Sequence, residues 1–101
     1  MIHVTTTCPD AQSAERLARA ALAERVAACV NIVPGLRSLY HWEGAVAEDE
    51  EVLVIFKTSG SARAALVAFI EAEHPYDLPV ITWERLETTP EALAWLDRET
   101  G

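Results

Sequence analysis

His74 stands in the run Glu73-His-Pro-Tyr76, at the end of an apolar-periodic stretch. Imidazole is the commonest metal ligand among side chains, and its cation also suits the negative pole of a helix C-terminus. Two readings stand side by side: a metal ligand, or a capping histidine fixed in place by Pro75. Cys29 and Asn31 are two apart in an apolar run, so alternation puts both on one face of a strand. A cysteine there is either a soft ligand or a small apolar side chain. Cys8, before Pro9 and Asp10, marks a strand-to-helix junction. A helix N-terminus can stabilise a thiolate, which makes Cys8 in principle the more reactive thiol. Lys57 is the only lysine, against seven arginines. Its compact, rotatable ammonium suits an anion or carboxylate in a cleft between subunits. The plainer alternative pairs it with Glu43 or Glu51 of some subunit. His41 and Glu43 are spaced to chelate a cation from a strand, but no third ligand is near, so a solvated pair is the simpler reading. Tyr40 and Trp42 share the alternate face, where an aromatic pair near a hairpin tip suits docking onto a neighbour as well as ligand stacking.

Missing motifs narrow the chemistry. There is no Cys-x-x-Cys, no histidine pair at helical spacing, no Gly-rich phosphate loop and no Gly-x-Ser-x-Gly elbow. None of the many Asp and Glu residues is marked as a general acid. The formal net charge of -8 repels phosphate backbones, so nucleic acid is not expected as a partner. No apolar run is long enough for a bilayer and no leader stands at Met1, so a cytoplasmic protein without a membrane partner is expected. In that setting Cys8 and Cys29 are free thiols.

These side chains need elements to hold them. The 101 residues make one domain, 1–101, large enough to bury roughly two-thirds of the unfolded surface. Ile2–Thr7 alternates and is rich in β-branched residues, which predicts a strand. Asp10 then caps a helix whose apolar face is Ala14, Leu17, Ala18, Ala21, Leu22 and Val26. Ala28 to Gly44 reads as one long strand, bent at Pro34-Gly35 and closed by a turn at Glu43-Gly44. The returning strand is Glu51–Thr58, with a solvated acidic patch, Glu48–Glu51, at the start of the returning arm. A second helix carries Ala62, Ala65, Leu66, Phe69 and Ile70 inward and ends at His74-Pro75. Val80–Leu86 is the last strand, and Thr89-Pro90 starts a C-terminal helix.

That order is the split β-α-β arrangement of an α+β, ferredoxin-like fold, an antiparallel sheet with helices on one face. Yet Val52 to Phe56 is apolar at five consecutive positions, so both faces of the sheet want cover. A bare second face would be a large apolar patch, and burial against copies in a closed ring removes it.

The segments Ala28-Cys-Val-Asn-Ile-Val-Pro-Gly35, Ser38-Leu-Tyr-His-Trp-Glu-Gly44, Glu51-Val52, Lys57-Thr58 and His74-Pro-Tyr76 resemble the CutA family of divalent-cation tolerance proteins. Cys8-Pro9-Asp10 and Leu22-Ala-Glu24 fit as well, so the resemblance spans essentially the whole chain. It implies a trimer resembling the PII signalling proteins, with sheets facing inward and long β2-β3 hairpins reaching onto neighbours. It also implies a link to copper and other divalent cations. Where copper-binding members are proposed to use a first-strand Cys and two consecutive His, this chain has Thr5 and Glu73-His74. A Thr, Glu and His set is harder and weaker for copper than a thiolate with two imidazoles.

The leading expectation is a non-enzymatic homotrimer that binds a divalent metal ion, Cu2+ or Zn2+, through His74 and Glu73, helped by Cys29 or a neighbour's carboxylate. The alternative is a PII-like signalling or scaffolding trimer. Asn31, Tyr40, Trp42, Glu43, Lys57 and Tyr76 would then line inter-subunit clefts for a small anion or an unidentified partner protein. An enzyme using Lys57 and His74 as an acid/base pair ranks last.

Overall fold

The computed structural model describes residues 1–101. Along the chain run β1 (Ile2–Cys8), α1 (Ala11–Ala23), β2 (Cys29–Trp42), β3 (Ala45–Thr58), α2 (Arg63–Glu73), β4 (Thr82–Arg85) and α3 (Pro90–Glu99). The strands form one antiparallel sheet in the order β2-β3-β1-β4, as the split β-α-β reading requires.

Alternation decides which face is dry. In β1, Ile2, Val4, Thr6 and Cys8 are buried, and His3, Thr5 and Thr7 are half-buried. In β3, Val52, Val54, Phe56 and Thr58 point to the same buried side. Ala14, Leu17 and Ala21 of α1 and Leu66 and Ile70 of α2 complete this core. The small side chains of α1 let its backbone approach the sheet closely. Asp10 caps α1 by accepting the Ser13 N–H at 2.7 Å.

Three boundaries differ from the sequence reading. The helix α1 ends at Ala23, so Val26 lies beyond it, and Leu22 is 40% exposed rather than inward. Arg25 (φ 57) turns the chain there through a left-handed conformation. The strand β3 begins at Ala45, so the acidic run Glu48–Glu51 is strand, paired with Leu36–Leu39. Acidic residues have low strand propensity, and a cross-strand partner overrides it. The last strand is shorter than expected: β4 keeps only Thr82–Arg85, and the Val80 carbonyl accepts the Thr6 hydroxyl.

The hairpin makes the molecule long, 46 × 24 × 21 Å. One residue is extra in β2 between Val33 and Leu36, a bulge at Pro34-Gly35 with Gly35 at φ 82. That bulge reverses the alternation. Cys29, Asn31 and Val33 share the helix-free face with Lys57, Ile55 and Leu53, and past the bulge Leu36, Ser38, Tyr40 and Trp42 take that face. Glu43 (φ 50) and Gly44 (φ 81) close the hairpin. No helix is long and apolar enough to cross a membrane.

Candidate functional site

The segment after α2 has to cover the end of β1 that β4 does not reach. His74 is the C-cap residue of α2, its N–H bonded to the Ile70 carbonyl at 2.9 Å, and Pro75 forbids another turn. Its ring is turned inward and 9% exposed. Nδ1 accepts the Tyr76 N–H at 3.0 Å. Nε2 lies 2.9 Å from the Thr7 carbonyl and 3.0 Å from the Thr6 hydroxyl. Thr6 already donates to the Val80 carbonyl at 2.9 Å, so it accepts from His74, and the network assigns the neutral Nε2–H tautomer. Burial holds the ring below its ordinary pKa, against the Thr7 carbonyl and the Glu51 carboxylate, which favour the cation.

Tyr76 packs its ring 5.1 Å from that of His74 and donates its hydroxyl to Glu51 at 2.8 Å. Glu51 sits on the helix-free face of β3, where burial alone would raise its pKa. Hydrogen bonds from Ser38, Tyr76 and Thr7 outweigh that and leave it below the ordinary carboxylate value. Burial and the Glu51 carboxylate push the Tyr76 phenol up, so it stays a donor at any physiological pH. Tyr40 donates to Asp49 one step further along the same face. The result is a carboxylate held by the Tyr76 hydroxyl, with Ser38 and Thr7 beside it, at the root of the hairpin. Sequence reasoning missed Glu51, Thr7 and Ser38 here, because it placed Glu51 in a solvated acidic patch; the signal was the i, i+2 alternation carrying Glu51 onto the face of Leu53 and Ile55.

The expected ligand set does not assemble within one chain. His74 has both ring nitrogens engaged, Glu73 is exposed at the last residue of α2, and Cys29 is half-buried opposite Lys57. Lys57 lies six residues along β3 from Glu51, about 20 Å at 3.3 Å per residue. No three His, Cys, Asp or Glu side chains meet in a way that could hold a metal ion, so the residues of a single chain do not fit one. His41 is on β2 but Glu43 is in the turn, so they share no strand face. Cys8 is buried rather than reactive: burial, then the Asp10 charge, push its thiol up to about 11.

The cleft residues fare differently. The bulge puts Asn31, Tyr40, Trp42 and Lys57 on one face with Glu51, and Tyr76 reaches that face from the loop. Glu43 stands at the far tip. Three ion pairs form within the chain, Arg19–Glu15, Arg25–Glu99 and Arg37–Glu48, and none uses Lys57. Within one chain Lys57 pairs with neither Glu43 nor Glu51, which leaves those of another subunit as its expected partners. Val33 is 45% and Trp42 62% exposed on this face, and Leu39 and Val46 stand out from the other side of the hairpin.

A family model described as CutA1 divalent ion tolerance protein matches residues 2–99. The divalent-cation tolerance protein CutA of Thermus thermophilus is 43% identical over 99 residues, covering 97% of this chain and 96% of that protein. Protein CutA of Mus musculus is 40% identical over 95 residues, 93% of this chain, which spans only 54% of the mouse protein. The crystal structure of CutA1 from Pyrococcus horikoshii superposes with a TM-score of 0.95 at 40% identity, covering 100% of this chain and 99% of that one.

Proposed function

We propose, given that this chain belongs to the CutA1 divalent ion tolerance protein family, that it acts as a non-enzymatic homotrimer whose helix-free sheet face is the contact between copies. One observation carries this reading. The face opposite the helices combines apolar Val33, Leu53 and Ile55 with the exposed Tyr40 and Trp42, and no helix of the chain covers it. A patch of this kind on a soluble chain marks an interaction surface. Both sheet edges, β2 and β4, also keep unpaired backbone groups along part of their length. Sedimentation at micromolar concentration tests it: a single species of three chains supports the reading, and a stable single chain sinks it.

The cation-related role follows from what the assembly can add. Glu73 and His74 come from one copy, and Cys29 or a carboxylate must come from another to complete a Cu2+ or Zn2+ site. To bind through Nδ1, His74 has to give up the Tyr76 N–H. Isothermal titration of the trimer with Cu2+ and Zn2+ is the test, and affinity unchanged in His74→Ala would remove His74 from the set. Two free thiols suit a reducing compartment, so the proposed location is cytoplasmic.

A second reading is favoured by Lys57. It is the only ammonium side chain and has no ion-pair partner in its own chain. With Asn31, Tyr40, Trp42 and Tyr76 on or reaching the same face, the clefts between copies suit a small anion or a partner protein, as in a PII-like signalling trimer. Thermal stabilisation of metal-free trimer by an organic anion, with none by metals, favours this reading over the first.

A further inference from the structure

The seven arginines are not placed alike. Arg19, Arg25 and Arg37 sit in ion pairs with Glu15, Glu99 and Glu48. Arg98 lies in the last turn of α3, where the helix dipole favours a cation, and Arg16 lies within reach of the Asp10 charge. Arg63 and Arg85 have neither kind of partner. Arg63 opens α2 at the positive pole of its dipole, with no acid in the first turn and no side-chain cap. It is half-buried there, its guanidinium carbon 5.0 Å from the ring centre of Trp83. Trp83 and Arg85 pair with Val4 and Ile2, so both stand on the helix side of β4, about 7 Å apart for two strand residues. The Arg85 guanidinium passes beside Gly60, just ahead of α2, where a Cβ would lie 3.6 Å from its Nη1. Glu87, which lines the same groove as Arg85, makes no ion pair with it, and Glu84 is on the opposite face. Two guanidinium groups therefore converge beside a helix N-terminus, and none of the sixteen acids is placed to offset them.

We propose that Arg63 and Arg85 bind the phosphate group of a small organic molecule. Two guanidinium cations match the charge of one phosphate dianion. The forks come from two elements, and the N–H groups that open α2 add a third direction. Three directions suit a tetrahedral anion with three free oxygens better than a flat carboxylate with two. Trp83 holds Arg63 by a cation–π contact, so part of the ordering is complete before the ligand arrives. Arg85 also walls a groove with Leu86, Thr88 and Leu93, a partly apolar seat for the rest of the molecule. The net charge of -8 opposes a long polyanion, but a single phosphate within a Debye length, roughly 10 Å, senses the local cations first. The site is on the helix side of the sheet, so it does not rest on the shared-face reading above.

Calorimetric titration of the protein in phosphate-free buffer, with phenyl phosphate, inorganic phosphate and malonate at matched ionic strength, is the test. Saturable binding is expected, tightest for phenyl phosphate and at least tenfold weaker for malonate. Arg63→Gln and Arg85→Gln should each weaken it tenfold or more, and the double variant should abolish it. Arg85→Lys keeps the charge but not the fork and should bind less tightly than wild type. Thermal midpoints separate binding from a structural role. Without phosphate, Arg85→Gln should not lower the midpoint, because it removes a repulsion; with phenyl phosphate it should fall behind the wild type. An equal deficit with and without ligand, no saturable binding, or binding that both glutamine variants keep would overturn the site. Malonate as tight as phosphate contradicts the tetrahedral anion, and inorganic phosphate as tight as its ester contradicts the organic ligand. Should Arg63→Gln fail to fold, Arg63→Lys and Arg85→Gln carry the comparison. Sedimentation of the same samples keeps the two readings apart. Three chains with no phosphate binding contradict this site alone, and single chains that bind contradict the trimer alone.

Discussion

On the covered face of the sheet, Val4, Val54 and Phe56 have no accessible surface, and Thr58 donates its hydroxyl to the Val26 carbonyl at 2.7 Å. One residue along the same strands, on the opposite face, Ile55 and Lys57 are half-buried and His3 keeps a buried nitrogen without a partner. The two histidines make the same contrast. His74 has both nitrogens satisfied by its own chain, and His3 has one that is not. Composition does not separate these regions, since both mix β-branched, aromatic and hydroxyl residues. What separates them is which side the two helices occupy. The covered face is finished by its own chain, and the open face is not.

The largest effect should come from truncating the two faces in parallel. Phe56→Ala empties a fully buried site, and a loss of about 3–5 kcal/mol is expected in urea unfolding of the dissociated protein. Ile55→Ala, one residue away, should leave the isolated chain much less affected and weaken assembly instead. Equal losses in the isolated chain would erase the contrast. Leu53→Glu sharpens it further: far-UV dichroism should be retained while sedimentation reports single chains, because a carboxylate is placed in the middle of the contact.

Acid should act through the finished site. The folded pKa of His74 is depressed, so the unfolded chain takes up its proton first. Its contribution is full above about pH 6.5, the ordinary histidine value, and is lost as pH falls below it. Glu51 is also depressed, so its contribution persists above the ordinary carboxylate range and is lost as pH falls through the lower folded value. Thermal midpoints measured from pH 8 to 3 should therefore fall in two stages, histidine first. Tyr76→Phe removes one donor to Glu51, and because that carboxylate is only half-buried a loss of about 1 kcal/mol is expected, with the lower stage moved to higher pH. The smallest effect concerns thiols: a disulfide reagent at pH 8 should leave Cys8 untouched in the folded chain, since its thiol titrates near 11.

Most of the fold was legible in local signals. Alternation in Ile2–Thr7, Asp10 as a cap, the Glu43-Gly44 turn and Thr89-Pro90 each found their element. The misreadings came from tertiary pairing, which no local pattern carries. Ala45–Glu50 is a strand because Arg37–Trp42 lies beside it, and Val80 has no ladder partner, its carbonyl accepting the Thr6 hydroxyl. The site was less legible for the same reason. Pro34-Gly35 announced a bend, but its consequence was the reversal that brings Tyr40 and Trp42 onto the face of Asn31 and Lys57. The partners of His74 lie some seventy residues away in sequence, in β1. Only pairing reveals that the ring is already satisfied. His3 escaped notice altogether, one of several polar residues in an alternating strand, until the register set it beside Lys57.

The central claim is that the helix-free face is a contact between copies. Sedimentation equilibrium of the wild type over a micromolar dilution series addresses it directly. The account predicts a constant mass of three 11.1 kDa chains, with Leu53→Glu reduced to one. A wild type that is compact and stable at the mass of one chain throughout the series would contradict it.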